Sequence, residues 1–425
     1  MRDMKKTILV FASALALCFS AFAQEDASEK KISLYGFIQT YAPLDTRECT
    51  ADGADLFIYL PKDIRKGYDG SDLNAGTSFR FAALTSRIGL DVKGYKVNDW
   101  NIGAKIEADF YTGLNGSTGT AQLRLCQAYF TMNKDIWGIK IGQAWHPMAA
   151  DMPDIFSNNT GAPFGPFSRS PLANVDVKLG DYLTLNAAAI WQMQFVSSGP
   201  EGPSANYIKY GCTPEIYLGV TGQYKSALVR VGLDMLSIKP RKDNGGVKVS
   251  DRLTTLSPFI YAQYKYKGFT AKAKTVFASS GEHMNLNGGY GVTAVGEDGT
   301  WYYTPSRNWS SWVSLSYGAR LQGVLFAGYV RNFGTSQPLL EGDARFTPAQ
   351  YYFYKNSSSS LMRAFRVTPT LIYYLGKVQF GIEYDLTGVQ YGETAMGINL
   401  NNGLYDLGLH WVNNHRVQLL FKYTF

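Results

Sequence analysis

The run "HRVQLLFKYTF" (415–425) sets Val417, Leu419, Phe421, Tyr423 and Phe425 on one face. Arg416, Gln418, Lys422 and Thr424 fall on the other, with Leu420 the exception. Period-two alternation marks a strand with one apolar face. The end of a soluble domain usually frays, whereas these last residues are apolar and aromatic. Such a strand is expected to pair along its length. In a closed barrel, which has no sheet edge, its partner would be the first strand.

The same alternation recurs in "WNIGAKIEADF" (100–110), "ANVDVKL" (173–179), "LTLNAAAIWQMQF" (183–195) and "VQFGIEYDL" (378–386). Strands of a soluble sandwich also alternate but average about 5–6 residues. These reach about ten, the length that crosses a bilayer at a tilt. Counting from Ile32, the pattern predicts about sixteen strands whose connections alternate in length. Tight polar ones fall at Lys96–Asp99, Asn133–Asp135, Gly180–Asp181, Lys225–Ser226, Lys267–Gly268, Ala319–Arg320 and Gly376–Lys377. Long ones fall near 44–77, 146–167, 197–209, 241–250, 283–308, 335–360 and 389–412. Leu114–Gly119 alone is short on the long side. The expected fold is all-β: a transmembrane antiparallel β-barrel, with short periplasmic turns and long extracellular loops. Trp100, Trp137, Tyr182, Tyr266, Tyr317 and Tyr423 collect at the short-turn end, where amphipathic rings favour the membrane–water interface.

The front of the chain reads as an export signal. "MRDMKKTILVFASALALCFSAFAQ" has a basic start, an apolar stretch from Ile8 to about Phe19, and Ala21-Phe22-Ala23 as a small-x-small site. Cleavage is expected after Ala23. Leu17 before Cys18 does not fit a lipidated cysteine. The expected layout is a signal peptide over 1–23, a short periplasmic segment over 24–31 and a barrel over 32–425. Removing three basic residues and one acidic residue lowers the formal charge from +7 to +5. No lysine-rich tail of the nucleic-acid type is present, so no nucleic-acid partner is expected. Cys49, Cys126 and Cys212 form neither a disulfide framework nor a zinc pattern, and no metal or cofactor is expected. Cys49 and Cys212 both fall on the loop side. They are a candidate pair if their Cα atoms lie within about 7 Å; free thiols are the default.

Several stretches resemble Gram-negative outer-membrane porins. "ISLYGFIQTY" (32–41) is similar to the porin first strand, and "SRIGLDVKGY" (86–95) to the second. "IKIGQAWHP" (139–147) resembles the strand leading into the long third loop, and "YTF" (423–425) the signal read by the barrel-assembly machinery. The likeness is to the general-diffusion or DcaP-like type, and the aromatic-rich style suggests a Bacteroidota origin. It implies an outer-membrane homotrimer surrounded by lipid and lipopolysaccharide, passing small hydrophilic solutes by passive diffusion. It places Tyr423 and Phe425 in the assembly signal.

Pores select by lumen charge and by what narrows them. Arg87, Lys105 and Arg124 fall near mid-strand on neighbouring strands, with Lys140 as a fourth. A cation in lipid costs about 2–4 kcal/mol at the midplane, so these should face the lumen as a basic wall. Arg80 and Arg87 have opposite parity, which requires a bulge between them. Porin resemblance implies that the loop "HPMAADMPDIFSNNTGAPFGPF" (146–167) folds inward, with Asp151 and Asp154 facing that wall. Inward positions carry more basic than acidic residues, which implies mild anion preference.

Two other readings stand beside the passive channel. A sugar- or organic-anion-specific channel would use aromatics such as Tyr302, Tyr303, Trp309, Trp312, Tyr351, Tyr352 and Tyr354 for stacking. An outer-membrane enzyme would need an acid–base pair, for which His410 and His415 are the nearest candidates. A 22-stranded transporter with a plug is disfavoured, because about eight residues separate the expected cleavage site from the first strand.

Overall fold

A computed structural model describes residues 31–52, 57–112, 121–156, 161–342, 351–353 and 358–425. The expected signal peptide, most of the segment after it and the short connection at 114–119 lie outside the described residues. Sixteen strands among the described residues close into one antiparallel barrel. They are β1 (Lys31–Asp45), β2 (Arg87–Val97), β3 (Trp100–Thr112), β4 (Ala121–Lys134), β5 (Trp137–Trp145), β6 (Arg169–Leu179), β7 (Leu183–Ile190) and β8 (Glu215–Tyr224). There follow β9 (Ala227–Ile238), β10 (Leu253–Tyr266), β11 (Phe269–Ser279), β12 (Trp301–Gly318), β13 (Leu321–Thr335), β14 (Leu361–Leu375), β15 (Val378–Tyr391) and β16 (His410–Thr424).

Each strand pairs with its chain neighbours, and β16 returns to β1, with Phe37 opposite Thr424 and Asp45 opposite Arg416. The Phe425 N–H donates to the Gly36 carbonyl at 3.0 Å and the Gly36 N–H returns to Phe425 at 3.3 Å. The alternating terminal stretch therefore pairs with the first strand, as expected for a barrel without edges.

Alternation sorts the two faces. Leu218, Val220, Val231, Leu233, Leu371 and Ile382 are exposed on the outer wall, while Arg366, Glu383, Asp385 and Arg416 are fully buried inside. Outward apolar residues and inward polar ones are what a membrane-spanning barrel requires. At one end the connections are two- or three-residue turns. Asn98 and Asp99 both have positive φ, as do Lys267 and Gly268, the conformation of type I′ hairpins. Trp137, Tyr182, Tyr266, Tyr317 and Tyr423 are exposed at this end.

Two irregularities re-aim side chains. Ser78–Phe79 pairs with Leu44–Asp45, but regular pairing is lost before β2 begins at Arg87, and Thr85 has a φ of 67°. This break resolves the parity conflict between Arg80 and Arg87. Between β3 and β4 the register shifts at Cys126, so Arg124 and Gln127 both face inward. The Cys212 thiol is free and donates to the Lys209 carbonyl at 3.6 Å, so no bridge joins it to Cys49.

Candidate functional site

The loop after β5 is held from inside the barrel by several strands. Lys274 on β11 donates to the carbonyls of Met148 at 2.7 Å and Asp151 at 2.5 Å. Asp151 pairs with Arg230 on β9, and Asp154 with Lys272 on β11 at 2.8 Å. Further along, the Phe156 N–H donates to Glu383 Oε2 at 2.8 Å, and Arg366 on β14 donates to the Ala162 carbonyl at 3.3 Å. Two inward glycines form seats for this loop. A Cβ on Gly381 would lie 1.9 Å from Phe156 Cζ, and one on Gly328 would lie 2.4 Å from Phe164 Cγ. Seating each ring is worth about 1.5–3 kcal/mol of apolar burial. Residues 157–160 of this loop lie outside the described residues.

The first long loop also enters, which the sequence reading did not anticipate. Its hairpin, Cys49–Asp52 against Phe57–Pro61, buries Phe57, Ile58, Tyr59 and Leu60 completely or nearly so. Ile58 and Tyr59 have φ of 71° and 35°, unfavourable for any L residue and most for a β-branched one. The surroundings overcome that strain. The Tyr59 ring lies 3.7 Å from the Arg366 guanidinium and 3.8 Å from that of Arg416. Arg366 also donates to the Ile58 carbonyl at 2.6 Å, and Asp45 holds Arg416 through bonds of 2.8 and 2.7 Å. Burial drives the Tyr59 hydroxyl far above the usual ionisation range against the pull of Arg366, so it stays neutral. The apolar run "FIYLP" (57–61) within a polar loop was the available signal.

The wall formed by β1–β5 and β16 carries the candidate cations. Arg124 donates to both oxygens of Asp109 at 2.9 Å, while Arg87 reaches Glu107 at 3.0 Å and Asp109 at 3.3 Å. Arg169, which the sequence reading missed, lies 3.9 Å from Asp109. Lys105 stands over Tyr35 at 4.9 Å, Lys140 over Tyr129 at 5.2 Å and Lys422 over Phe37 at 4.1 Å. No ion pair joins these three lysines to a carboxylate among the described residues.

A cavity of about 280 Å³ is lined by Lys140, Ala150 and Arg230. Another, of about 240 Å³, is lined by Arg87, Arg124, Met152 and Lys422. Both thus lie between the third loop and this wall. Asp151 and Asp154 are neutralised by Arg230 and Lys272, partners that the sequence reading did not assign, because they come from strands much later in the chain.

The other candidates separate. His410 bonds Asp63 at 2.6 Å, while His415 meets the outward Tyr384 at 2.7 Å; five residues apart on one strand, they face opposite sides. Trp309 is exposed, and Trp312 is buried with its Nε1 against Gly165. Tyr303 packs on Tyr290, which also contacts Tyr352. Tyr354 lies outside the described residues.

No family model and no curated protein matches the chain. Solved structures do. The outer membrane channel DcaP of Acinetobacter baumannii superposes with a TM-score of 0.63 at 18% identity, covering 94% of this chain and 99% of that one. The anion-selective porin from Comamonas acidovorans gives 0.53 at 12%, covering 93% and 100%. Outer-membrane expressed OmpT of Vibrio cholerae gives 0.52 at 10%, covering 95% and 99%. At these identities the likeness is one of fold, and the fold this chain shares with them is the 16-stranded outer-membrane barrel.

Proposed function

We propose that the chain is an outer-membrane porin, a water-filled channel for passive diffusion of small hydrophilic solutes with mild anion preference. The third loop acts as the constriction, and the gap beside it is the path. The observation that carries this reading is Lys140 and Lys422 lining the cavities beside the loop, with Lys105 on the same wall; among the described residues none of the three has a carboxylate ion-pair partner. Arg87 and Arg124 add positive charge that Glu107 and Asp109 partly cancel. Ions passing a lumen with surplus fixed positive charge are sorted toward anions. Reversal potentials across a KCl gradient in planar bilayers test this, with chloride expected to permeate better than potassium. An absence of conductance, or potassium preference, overturns it.

An organic-anion-specific channel is the second reading. Arg87, Arg124 and Arg169 share one cavity with Phe37, Trp145 and Phe167, a lining suited to a carboxylate with an apolar body. Block of the chloride current by an organic carboxylate, but not by a neutral sugar of similar size, favours it. From the porin resemblance of the sequence we further infer export through the signal peptide and insertion by the barrel-assembly machinery through Tyr423 and Phe425. We also infer a homotrimer embedded in lipid and lipopolysaccharide. The native mass of the detergent-solubilised protein tests the trimer.

A further inference from the structure

At the loop end of the barrel, four side chains from four separate segments converge. His146 follows β5 at the root of the third loop, Glu215 opens β8, Asp234 sits on β9, and His283 lies in the short helical turn Gly281–Met284 after β11. All four are buried, with at most 2% exposure. His146 Nε2 lies 2.7 Å from Glu215 Oε1 and 3.7 Å from Asp234 Oδ1. His283 Nε2 lies 3.3 Å from the same Glu215 oxygen and 3.9 Å from Asp234 Oδ2.

We propose that His146, Glu215, Asp234 and His283 form a binding site for a divalent first-row transition metal ion of the zinc type. Three observations carry this. First, the donor atoms of His146, Glu215 and Asp234 all lie within 4.8 Å of one another. Bonds of about 2.0–2.1 Å to a tetrahedral zinc put its ligand atoms about 3.3 Å apart; His283 to Glu215 already has that separation, Asp234 lies 3.7 and 3.9 Å from the two imidazoles, and the hydrogen-bonded His146 and Glu215, at 2.7 Å, would open by about half an ångström on coordination. Second, buried polar atoms point into the cluster without hydrogen-bond partners: both carboxylate oxygens of Asp234 and Nε2 of His283. Buried polar groups left unsatisfied are uncommon and call for an explanation. Third, His283 Nδ1 is 3.0 Å from the Ser280 carbonyl. A proton on Nδ1 donated there leaves the Nε2 lone pair aimed at the cluster, the arrangement that orients metal-binding imidazoles.

Charge agrees with geometry. Among the described residues the only ion-pairing partners of Glu215 and Asp234 are the two imidazoles. Two buried carboxylates need compensation, which one dication supplies. Mixed imidazole and carboxylate donors suit zinc and its neighbours rather than calcium or magnesium, which prefer oxygen alone. The Met148 N–H donates to His146 Nδ1 at 3.2 Å. Coordination through Nε2 moves the ring proton to Nδ1 and gives up that contact. Because Met148 lies at the root of the constriction loop, occupancy and loop position are coupled. The sequence reading expected no metal; 136 residues and the six strands β6–β11 lie between His146 and His283, so no short spacing marks the cluster.

The test uses the full barrel purified in detergent, stripped with a chelator and titrated with Zn²⁺ alone. One equivalent per chain retained through desalting is expected, with a higher thermal unfolding midpoint and intense visible absorption when Co²⁺ replaces Zn²⁺. His283→Ala with Asp234→Asn should bind at least 100-fold more weakly. No retained metal in the unmutated protein overturns the proposal and assigns charge compensation to protons on His146 and His283. Equal binding by the double variant overturns it too. If that variant fails to fold, the stoichiometry and the Co²⁺ spectrum of the unmutated chain still decide.

Discussion

Arg366 stacks its guanidinium 3.7 Å from the centre of the Tyr59 ring while donating to carbonyls of two different loops, Ile58 at 2.6 Å and Ala162 at 3.3 Å. One wall cation thus fastens both inserted segments. Tyr59 contributes two cation–π contacts in a dry setting, each worth about 0.5–2 kcal/mol. Tyr59→Leu keeps the volume roughly filled and loses both. The first loop is held against unfavourable φ at Ile58 and Tyr59, so it should release. Single-channel conductance is expected to rise and current noise to grow, with the barrel's unfolding midpoint nearly unchanged. Unaltered conductance would place the hairpin outside the ion path.

The third loop depends on absent side chains as much as on present ones. Gly381→Leu fills the seat of Phe156, whose ring atom would lie 1.9 Å from even a Cβ. The wall itself is built from other contacts, so the protein should still fold while the loop swings off β15. Conductance should increase, and the pairing of Asp154 with Lys272 should weaken. Gly323→Ala, where nothing lies within 4 Å of an added Cβ, serves as the control and should change neither conductance nor stability.

Much of the barrel could be read from the chain because its determinants are local. Alternation over ten residues reports which face meets lipid, and two-residue turns carry their own φ requirements, as at Asn98-Asp99. The inward orientation of Arg87, Lys105, Arg124 and Lys140 followed from the cost of the alternative. Partners did not follow. Asp151 meets Arg230 and Asp154 meets Lys272 because the loop leans toward β9 and β11, which depends on glycine seats more than 150 residues away. The Cys126 bulge and the inserted FIYLP hairpin likewise depend on pairing across strands, where no short period leaves a trace.

Selectivity should follow Lys105, Lys140 and Lys422 more than the arginines. Arg87 and Arg124 are engaged with Glu107 and Asp109, whereas Lys105, Lys140 and Lys422 stand over aromatic rings and pair with no carboxylate among the described residues. Replacing all three lysines with Gln should lower the chloride-to-potassium permeability ratio several-fold in dilute salt. At 0.1 M the Debye length is about 10 Å, so fixed charges reach across a narrow gap. At 1 M it is about 3 Å and the difference should fade. Asp151→Asn with Asp154→Asn frees Arg230 and Lys272 and should move the ratio the other way. A lysine triple variant with unmoved reversal potentials at both salts would assign selectivity to another part of the lumen.

The closing seam rests on a glycine and an aromatic ring. Gly36 exchanges backbone hydrogen bonds with Phe425, and a Cβ on Gly36 would meet Phe425 Cζ at 2.6 Å and the Arg87 carbonyl at 2.4 Å. The ring therefore lies over bare backbone on the outer wall, beside Tyr423 at 6.4 Å. Phe425→Ala keeps the backbone pairing and removes the ring. Gly36→Val keeps the ring but crowds its seat and the β1–β2 contact. If the ring acts in closing the barrel, both variants should lower the folded, heat-modifiable fraction after refolding in detergent, Gly36→Val more severely because backbone must move. If it acts only in recognition by the assembly machinery, Phe425→Ala should refold normally in detergent yet reach the membrane poorly in cells. Measuring both fractions for both variants separates the two roles.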